Sequence, residues 1–263
     1  MAAMFGNALG YEELMGRWSI KLASKFLDFA EVADGSRVLD VGCGTGSLAI
    51  SLLDRMPKSE IVGIDPANQF VEYARSRVKN PRARFDIGDA MGLPYPSHSF
   101  DSALSLLVLM FLPDPEKGAA EMHRVTRPGG RAAACTWDRH GLELSEIFWQ
   151  EAAKIDPSGE SRSQRPNHSN RKGQLGVLWN GAGFTEVEET ALEIVLPFMS
   201  FDDFWAPHTK GVAPQGQFVS SLNAESREAL RQGLRKRLLG DGPDRPFQMK
   251  GIAWAVRGKV PQP

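Results

Sequence analysis

The sequence predicts an α/β fold built on a doubly wound, mostly parallel sheet. Short apolar strands alternate with amphipathic helices between Arg37 and Trp137. A glycine-rich turn joins the first strand to the helix that follows it, and acidic residues follow the second and third strands. Because strands connected by helical crossovers become parallel, their carboxyl ends meet at one edge of the sheet, where ligands bind. We therefore expect a ligand site at the glycine-rich turn.

The individual elements follow from the spacing of apolar residues and from glycine and proline breaks. Residues 10–33 repeat apolar side chains every three or four positions, which predicts a leading amphipathic helix that ends before Gly35. Further helices are predicted over residues 47–56, 66–78, 114–125, 175–182 and 224–239. Strands are predicted over residues 37–41, 60–64, 83–87, 131–137, 185–195 and 252–256, with another at the start of the apolar run 100–112.

Four segments of the chain differ in pattern and define the expected domain organisation. A helical cover over residues 1–34 precedes the ligand-binding α/β core of residues 35–137. Residues 138–174 are expected to form a lid or loop, because much of that stretch is polar and lacks an apolar period. Residues 175–263 complete the sheet and carry an insertion at 196–247.

Composition and charge argue against several classes of function. The chain has 31 Lys and Arg against 32 Asp and Glu, so its net charge of -1 gives no basic field for binding nucleic acid. It shows neither a leader peptide nor an apolar stretch long enough to span a membrane, which predicts a cytoplasmic protein. Cys43 and Cys135 are too few for a disulfide framework, and no metal-ligand pattern surrounds them. We expect no metal ion.

The glycine-rich turn, VLDVGCGTGSLA at residues 38–49, admits two interpretations. A dinucleotide fingerprint would read G-x-G-x-x-G, whereas this turn reads G-x-G-x-G and places Ser47 after the third glycine. That spacing favours a ligand whose bulk lies directly on the backbone, with an amino group near Asp40. Asp65 ends the second strand, where its two oxygens suit the hydroxyls of a ribose. Asp89 follows the third strand, where an adenine amino group would lie.

Five stretches of the chain carry a family resemblance: VLDVGCGTG, VGIDP, FDIGDAMGLPYPSHSFDSALS, FLPDPEKGAAEMHRVTRPGG and AWAVRG. They resemble class I S-adenosylmethionine-dependent methyltransferases, in particular the small-molecule group that includes the ubiquinone and menaquinone methyltransferases. The resemblance is specific over residues 37–137 and loose elsewhere. It implies a Rossmann-like sheet of seven strands, whose last strand, supplied by KGIAWAVRG, is antiparallel. It also implies S-adenosylmethionine as cofactor, and the insertion at 196–247 resembles a helical substrate cap.

The same resemblance assigns roles to residues along the carboxyl edge of the sheet. The glycine turn lines the methionine part of the cofactor, with Asp40 next to its ammonium group. Asp65 binds the ribose, Asp89 holds the adenine, and Leu106 closes over the methionine part through backbone atoms. The complete set of cofactor residues implied in this way is Asp40, Gly42, Cys43, Gly44, Gly46, Asp65, Pro66, Gln69, Asp89, Ala90, Met91 and Leu106.

The sequence departs from this family on the side of the methyl acceptor. Many members end the fourth strand with a histidine, but Met110 stands at that position and cannot exchange a proton. His140, after the fifth strand, is then the best candidate for a general base, with a solvent-facing loop histidine as the alternative. For Met110 and the tryptophans, the alternative to a pocket is packing in the core. The predicted substrate pocket comprises Tyr11, Trp18, Met110, Trp137, Trp205 and His208.

These residues together predict transfer of a methyl group from S-adenosylmethionine to a small organic acceptor, leaving S-adenosylhomocysteine. Catalysis of the in-line displacement would come mainly from proximity and orientation. The expected partner is that small molecule, without nucleic acid or membrane, and the protein is expected to act as a monomer or homodimer. Two other interpretations stay open. An NAD-type oxidoreductase shares the strand, turn and helix, and a protein that binds S-adenosylmethionine without chemistry would fit the absent histidine.

Overall fold

The computed structural model describes residues 8–157 and 170–263, which divide into two compact units. The unit that we call the sheet unit contains residues 18–139, 170–192 and 252–263 of the described chain. The unit that we call the helical unit contains residues 8–17, 140–157 and 193–251. Each unit therefore draws on three separate stretches of the described chain. No helix among the described residues is both long enough and apolar enough to cross a bilayer.

The described residues contain a sheet of seven strands in the order β3-β2-β1-β4-β5-β7-β6. The strands are β1 (Arg37–Val41), β2 (Glu60–Asp65), β3 (Ala83–Ile87), β4 (Phe100–Leu106), β5 (Thr126–Leu142), β6 (Thr185–Phe198) and β7 (Phe247–Lys259). The first five strands pair in parallel, and the last strand is antiparallel. The predicted fold class is therefore confirmed. Because β1 lies between β2 and β4, the turn after β1 stands at the point where the strand order reverses, which is the usual ligand position.

The helices of the described chain follow the predicted alternation in the first half and extend it in the second. The α-helices are α1 (Ala8–Tyr11), α2 (Arg17–Ala30), α3 (Ser47–Arg55), α4 (Asn68–Arg77), α5 (Pro115–Val125), α6 (Glu143–Ile155), α7 (Gln174–Gly181), α8 (Phe201–Trp205), α9 (Ala213–Ser221) and α10 (Ala224–Leu239). A π-helical turn covers Glu12–Gly16, and 3₁₀ turns cover Leu109–Phe111 and Ala206–Lys210.

The leading helix is interrupted, whereas the sequence predicted one helix over residues 10–33. A π-helical turn separates α1 from α2. α2 ends at Ala30, because Glu31 adopts a left-handed conformation with a φ of 51°. The apolar spacing was nevertheless interpreted correctly within α2, since Trp18, Leu22 and Phe26 are all buried.

Two further expectations need correction in the middle of the chain. β5 begins at Thr126 and includes Pro128–Gly130, which the sequence predicted to be a turn before the strand. The backbone N–H of Gly129 donates to the carbonyl of Val260, and the N–H of Val260 donates to the carbonyl of Gly130, so these glycines belong to the sheet. The predicted lid at 138–174 contains helix α6, and its residues 158–169 lie outside the described part of the chain.

The apolar spacing that could have predicted α6 is present in the sequence. Leu144, Phe148, Trp149 and Ala152 recur at helical intervals, and all four side chains are buried. Acidic residues and polar neighbours dilute this pattern, so the segment was assigned to the lid. The structure thus provides an aromatic helix within the segment that was predicted to be a lid or loop.

Candidate functional site

The glycine turn after β1 depends on backbone conformations that other residues rarely adopt. Gly42, Gly44 and Gly46 have φ values of 76°, 51° and 87°. Glycine enters this region without the steric cost of a Cβ atom. The N–H groups of Gly42 and Cys43 both donate to the carbonyl of Ile64, at 2.7 and 3.0 Å, so the turn is fastened to the end of β2.

The three glycines differ in what surrounds them. A Cβ on Gly42 would lie 2.3 Å from a methyl carbon of Val108, so the protein itself requires glycine there. A Cβ on Gly46 would lie 3.3 Å from Val78. At Gly44 the nearest atom would be a ring carbon of Phe70 at 3.9 Å, so no described protein atom crowds this face of the turn. The Gly44 face can therefore accept the close approach of a ligand.

Two buried polar side chains flank the turn without hydrogen-bond partners. Asp40 is only 1% exposed, and neither of its carboxylate oxygens makes a hydrogen bond of good geometry with a described residue, although the backbone N–H of Ala49 is close enough to favour the charged form. The hydroxyl of Ser47, the first residue of α3, is also buried and without a partner there. An unpaired buried carboxylate is costly, because its charge has lost its hydration. Such atoms are what a polar ligand would satisfy.

The ionisation of Asp40 reflects this environment. Burial raises the pKa of Asp40 to about 8, the nearby carboxylate of Asp65 adds to the rise, and the backbone of Ala49 has a smaller opposing effect. A cation placed beside Asp40 would favour the ionised carboxylate and bring the pKa down again. The site therefore suits a positively charged group such as an ammonium.

Asp65 ends β2 and is held in place by the main chain. Its Oδ2 accepts a hydrogen bond from the N–H of Gly44 at 3.1 Å, and its Oδ1 accepts one from the N–H of Ala67 at 2.8 Å. Burial raises the pKa of Asp65, while these two hydrogen bonds act in the opposite direction. Each oxygen has a further lone pair, so the carboxylate can still accept from two hydroxyl groups.

The remaining cofactor residues predicted from the sequence lie at the same edge of the sheet unit. Asp89 is exposed, and its Oδ1 accepts a hydrogen bond from the N–H of Met91 at 2.8 Å. Ala90 is buried between them. Pro66 and Gln69 are exposed at the start of α4, and Cys43 and Leu106 are largely buried. All twelve predicted cofactor residues belong to the sheet unit.

The predicted acceptor residues divide between the two units. Trp18 is 1% exposed and Trp137 is 6% exposed, while Met110 lies half-buried in the 3₁₀ turn after β4. These three belong to the sheet unit, and the other four predicted acceptor-side residues, Tyr11, His140, Trp205 and His208, belong to the helical unit. The role of each remains a prediction.

The two histidines of the helical unit lie in opposite environments. The side chain of His140 is 72% exposed, and its Nδ1 lies 3.2 Å from a carboxylate oxygen of Glu146. His208 is 1% exposed and packs among aromatic rings that include Trp205. Burial lowers the pKa of His208 to about 4, so its imidazole is neutral near pH 7.

The sequence reasoning missed Ser47 as a site residue. Its signal was a polar residue directly after the third glycine, at the first position of the predicted helix. Among the described residues there is no group of three or more His, Cys, Asp and Glu side chains able to hold a metal ion.

Known proteins match the part of the chain that contains the glycine turn, Asp65 and Asp89. Residues 39–134 match the family described as methyltransferase domain. Over 97 residues the chain is 46% identical to the demethylmenaquinone methyltransferase of Deinococcus radiodurans, covering 36% of this chain and 40% of that protein. The YcgJ protein of Bacillus subtilis is 20% identical, with a TM-score of 0.59 over 94% of this chain and 100% of that one. Phosphoethanolamine N-methyltransferase 2 of Haemonchus contortus, solved with S-adenosyl-L-methionine, is 18% identical, with a TM-score of 0.61 over 98% of this chain and 57% of that one.

The chain thus has the fold of the solved structures that it resembles, a Rossmann-like sheet of seven strands. The resemblance to class I methyltransferases, including the menaquinone group, is confirmed, and residues 39–134 carry the sequence of a methyltransferase domain. The chain spans about two fifths of the length of the curated relatives that it matches.

Proposed function

We propose that this protein is an S-adenosylmethionine-dependent methyltransferase that acts on a small organic acceptor. The observation that carries the proposal is the buried, unpartnered carboxylate of Asp40 beside the uncrowded backbone of Gly44. A dinucleotide would place a pyrophosphate at this turn, and its negative charge would repel the ionised form of Asp40. A ligand with an ammonium group avoids that repulsion. The match of residues 39–134 to methyltransferase domains supports the same choice.

The residues at the edge of the sheet would divide the cofactor between them. Asp40 holds the ammonium group, and the backbone at Gly44 lies against the amino-acid part. Asp65, already oriented by two main-chain N–H groups, accepts hydrogen bonds from the ribose hydroxyls. Asp89, with its neighbours Ala90 and Met91, holds the adenine, while Pro66 and Gln69 lie beside the ribose. Leu106 and Cys43 contact the methionine part.

Methyl transfer requires mainly that the protein align the acceptor with the methyl group of the cofactor. Bound S-adenosylmethionine supplies a methyl group that its positively charged sulfur has already activated. The protein's own residues bind the acceptor, orient its nucleophile in line with the methyl group and exclude water, which together can lower the barrier by roughly 7–11 kcal/mol. Met110 provides no proton exchange after β4. We propose His140 as the base for acceptors that must lose a proton.

The setting of the reaction is also part of this proposal. The net charge of -1 supports action on a free small molecule without nucleic acid. We propose a cytoplasmic enzyme that works as a monomer or homodimer, with Tyr11, Trp18, Met110, Trp137, Trp205 and His208 contributing to the acceptor pocket. Product formation can be followed as S-adenosylhomocysteine released with amine, phenol, thiol and quinol acceptors, and a protein without chemistry would release none.

The first test is direct binding to the purified protein. Isothermal titration calorimetry should detect binding of S-adenosylmethionine and S-adenosylhomocysteine, whereas titration with NADH should leave the nicotinamide absorbance unchanged. Binding of NADH without binding of S-adenosylhomocysteine would establish the oxidoreductase instead.

Replacing Asp65 by alanine should weaken the affinity for S-adenosylhomocysteine by about 2 kcal/mol, or roughly 30-fold, because hydrogen bonds to a charged group are lost. Calorimetric titration measures the change. Asp54→Ala is the matched control, because Asp54 is an exposed acid on α3 in the same unit and should bind like the wild type. An unchanged affinity in Asp65→Ala would remove Asp65 from the ribose site.

A further inference from the structure

The helical unit contains a cluster of rings around one histidine. We call Phe148, Phe204, Trp205, His208 and Phe218 the aromatic cluster. The imidazole of His208 stacks on the ring of Phe148, with centroids 5.0 Å apart and planes 11° apart. The rings of Phe204 and Trp205 lie 5.0 and 6.5 Å from it, and Phe218 meets Phe148 edge-on at 6.3 Å. His208 is the polar member of this cluster.

The hydrogen bonding of His208 fixes which nitrogen carries the proton. Its Nδ1 lies 2.9 Å from the carbonyl oxygen of Phe204. Because a carbonyl oxygen can only accept, Nδ1 is the protonated nitrogen and donates. Burial lowers the pKa of His208 to about 4, so Nε2 is unprotonated at neutral pH and carries a lone pair. That lone pair is an acceptor directed into an apolar environment.

The Nε2 atom has no partner among the described residues. It is buried, and no hydrogen-bond donor reaches it. Several polar groups of the same unit are engaged elsewhere: Gln215 donates to the hydroxyl of Ser145, and Lys154 and Arg237 pair with the buried carboxylate of Glu151. A buried acceptor without a donor costs free energy, and a phenylalanine would stack equally well without that cost. The nitrogen therefore indicates a donor that the described residues of the ligand-free protein do not supply.

Helix α9 is one of the elements that enclose His208. It packs against the 3₁₀ turn that carries His208, and it contributes Phe218 to the cluster. Its start is strained, because Ala213 adopts a φ of 57°, a left-handed conformation that favours glycine, two residues after Gly211 at 70°. Strained segments of this kind often mark positions where the backbone changes conformation in function.

We propose that His208 is a specificity residue for the methyl acceptor, whose O–H or N–H group donates a hydrogen bond to Nε2 while its planar, apolar body packs against the aromatic cluster. This inference rests on the proposed function and names the chemical class of its acceptor. A cationic acceptor fits less well, because the buried acid of this unit, Glu151, is already paired with two cations. The neutral imidazole suits a neutral donor.

A pair of probes that differ only in the donor tests the proposal. 1-Naphthol has a hydroxyl group, and 1-methoxynaphthalene has the same rings without a donor. Calorimetric titration into the full chain saturated with S-adenosylhomocysteine should show that the wild type binds 1-naphthol at least tenfold more tightly. In His208→Phe this preference should disappear, while the affinity for S-adenosylhomocysteine stays unchanged.

Two control variants keep the result interpretable. Gln232→Phe places a phenylalanine at an exposed position on α10 in the same unit and should retain the preference for 1-naphthol. His208→Asn keeps an acceptor, should retain part of the preference, and serves as the test if His208→Phe does not fold. A wild type that binds both probes equally, or neither, or a His208→Phe variant that keeps the preference, would overturn the inference. Failure to bind S-adenosylhomocysteine would instead overturn the proposed function.

Discussion

Replacing Asp40 by asparagine should make the ligand-free protein more stable at pH 8. The pKa of Asp40 is about 8 in the folded protein and near 3.8 in the unfolded chain. Because the folded state disfavours the charged form, its stability falls as the pH rises from about 4 to about 8. A neutral side chain avoids this loss, although a buried amide remains without partners. We expect a gain of about 3 kcal/mol in the free energy of unfolding.

Urea denaturation at pH 8 and at pH 4 measures this effect. The gain should be nearly complete at pH 8 and should be small at pH 4, where Asp40 is protonated in the folded state and still partly protonated in the unfolded chain. Asp54→Asn, which changes an exposed acid on α3, should show no comparable difference between the two pH values. If Asp40→Asn destabilises the protein at pH 8, the carboxylate must have partners that satisfy its charge.

The same substitution should weaken binding of S-adenosylhomocysteine by at least roughly 30-fold, because a charge-assisted hydrogen bond to the ammonium group is lost. The pH dependence adds a second signature. Below pH 8 Asp40 must release a proton for the ion pair to form, and at more alkaline pH the ammonium group of the ligand is itself deprotonated. The wild-type affinity should therefore peak near pH 8.

5′-Methylthioadenosine provides the control for that pH profile, because it has the adenine and ribose but no amino-acid end. Its affinity should not peak near pH 8 in the wild type and should change little in Asp40→Asn. A pH profile that is the same for both ligands would show that Asp40 does not contact the ammonium group.

The second large effect is expected for Gly44→Ala, which should reduce the affinity for S-adenosylhomocysteine at least roughly 100-fold. The new methyl group would project from the uncrowded face of the turn, 3.9 Å from Phe70, into the space assigned to the ligand. The left-handed conformation at Gly44 adds a loss of stability of about 1–2 kcal/mol. Calorimetry and urea denaturation separate the two effects.

Gly35→Ala is the matched control for Gly44→Ala. Gly35 also has a positive φ, of 85°, and a Cβ there would meet no atom within 4 Å. It precedes β1 instead of following it, so it lies at the opposite end of that strand from the glycine turn. Gly35→Ala should lose a similar amount of stability and keep its affinity. Equal affinities in the two variants would show that the Gly44 face is not the cofactor surface.

The sequence predicted best those features that depend on local patterns. The apolar periodicity predicted helix α10 with its observed bounds, and the alternation of strands and helices predicted the sheet. The position of Asp65 near the glycine turn also followed, because parallel neighbouring strands end at one edge. These features require only spacing and connectivity.

Features that depend on tertiary packing could not be predicted in this way. The unpaired state of Asp40 depends on which groups surround β1 after folding, and no spacing in the sequence reveals it. The neutral state of His208 depends likewise on aromatic rings from α6, α8 and α9, which are distant in the chain. α6 was missed although its spacing was present, because the polar stretch after it determined the interpretation of the whole segment.

The two main-chain N–H groups that hold Asp65 have a consequence for how ligands of different size bind. The Asp65 carboxylate is already immobilised before any ligand binds. Binding of a nucleoside therefore costs no further side-chain entropy at Asp65. The proposed nucleoside site is therefore preorganised, whereas Asp40 would have to ionise each time an amino-acid group binds beside it. Small fragments that lack the amino-acid group should therefore bind mainly through contacts with Asp65.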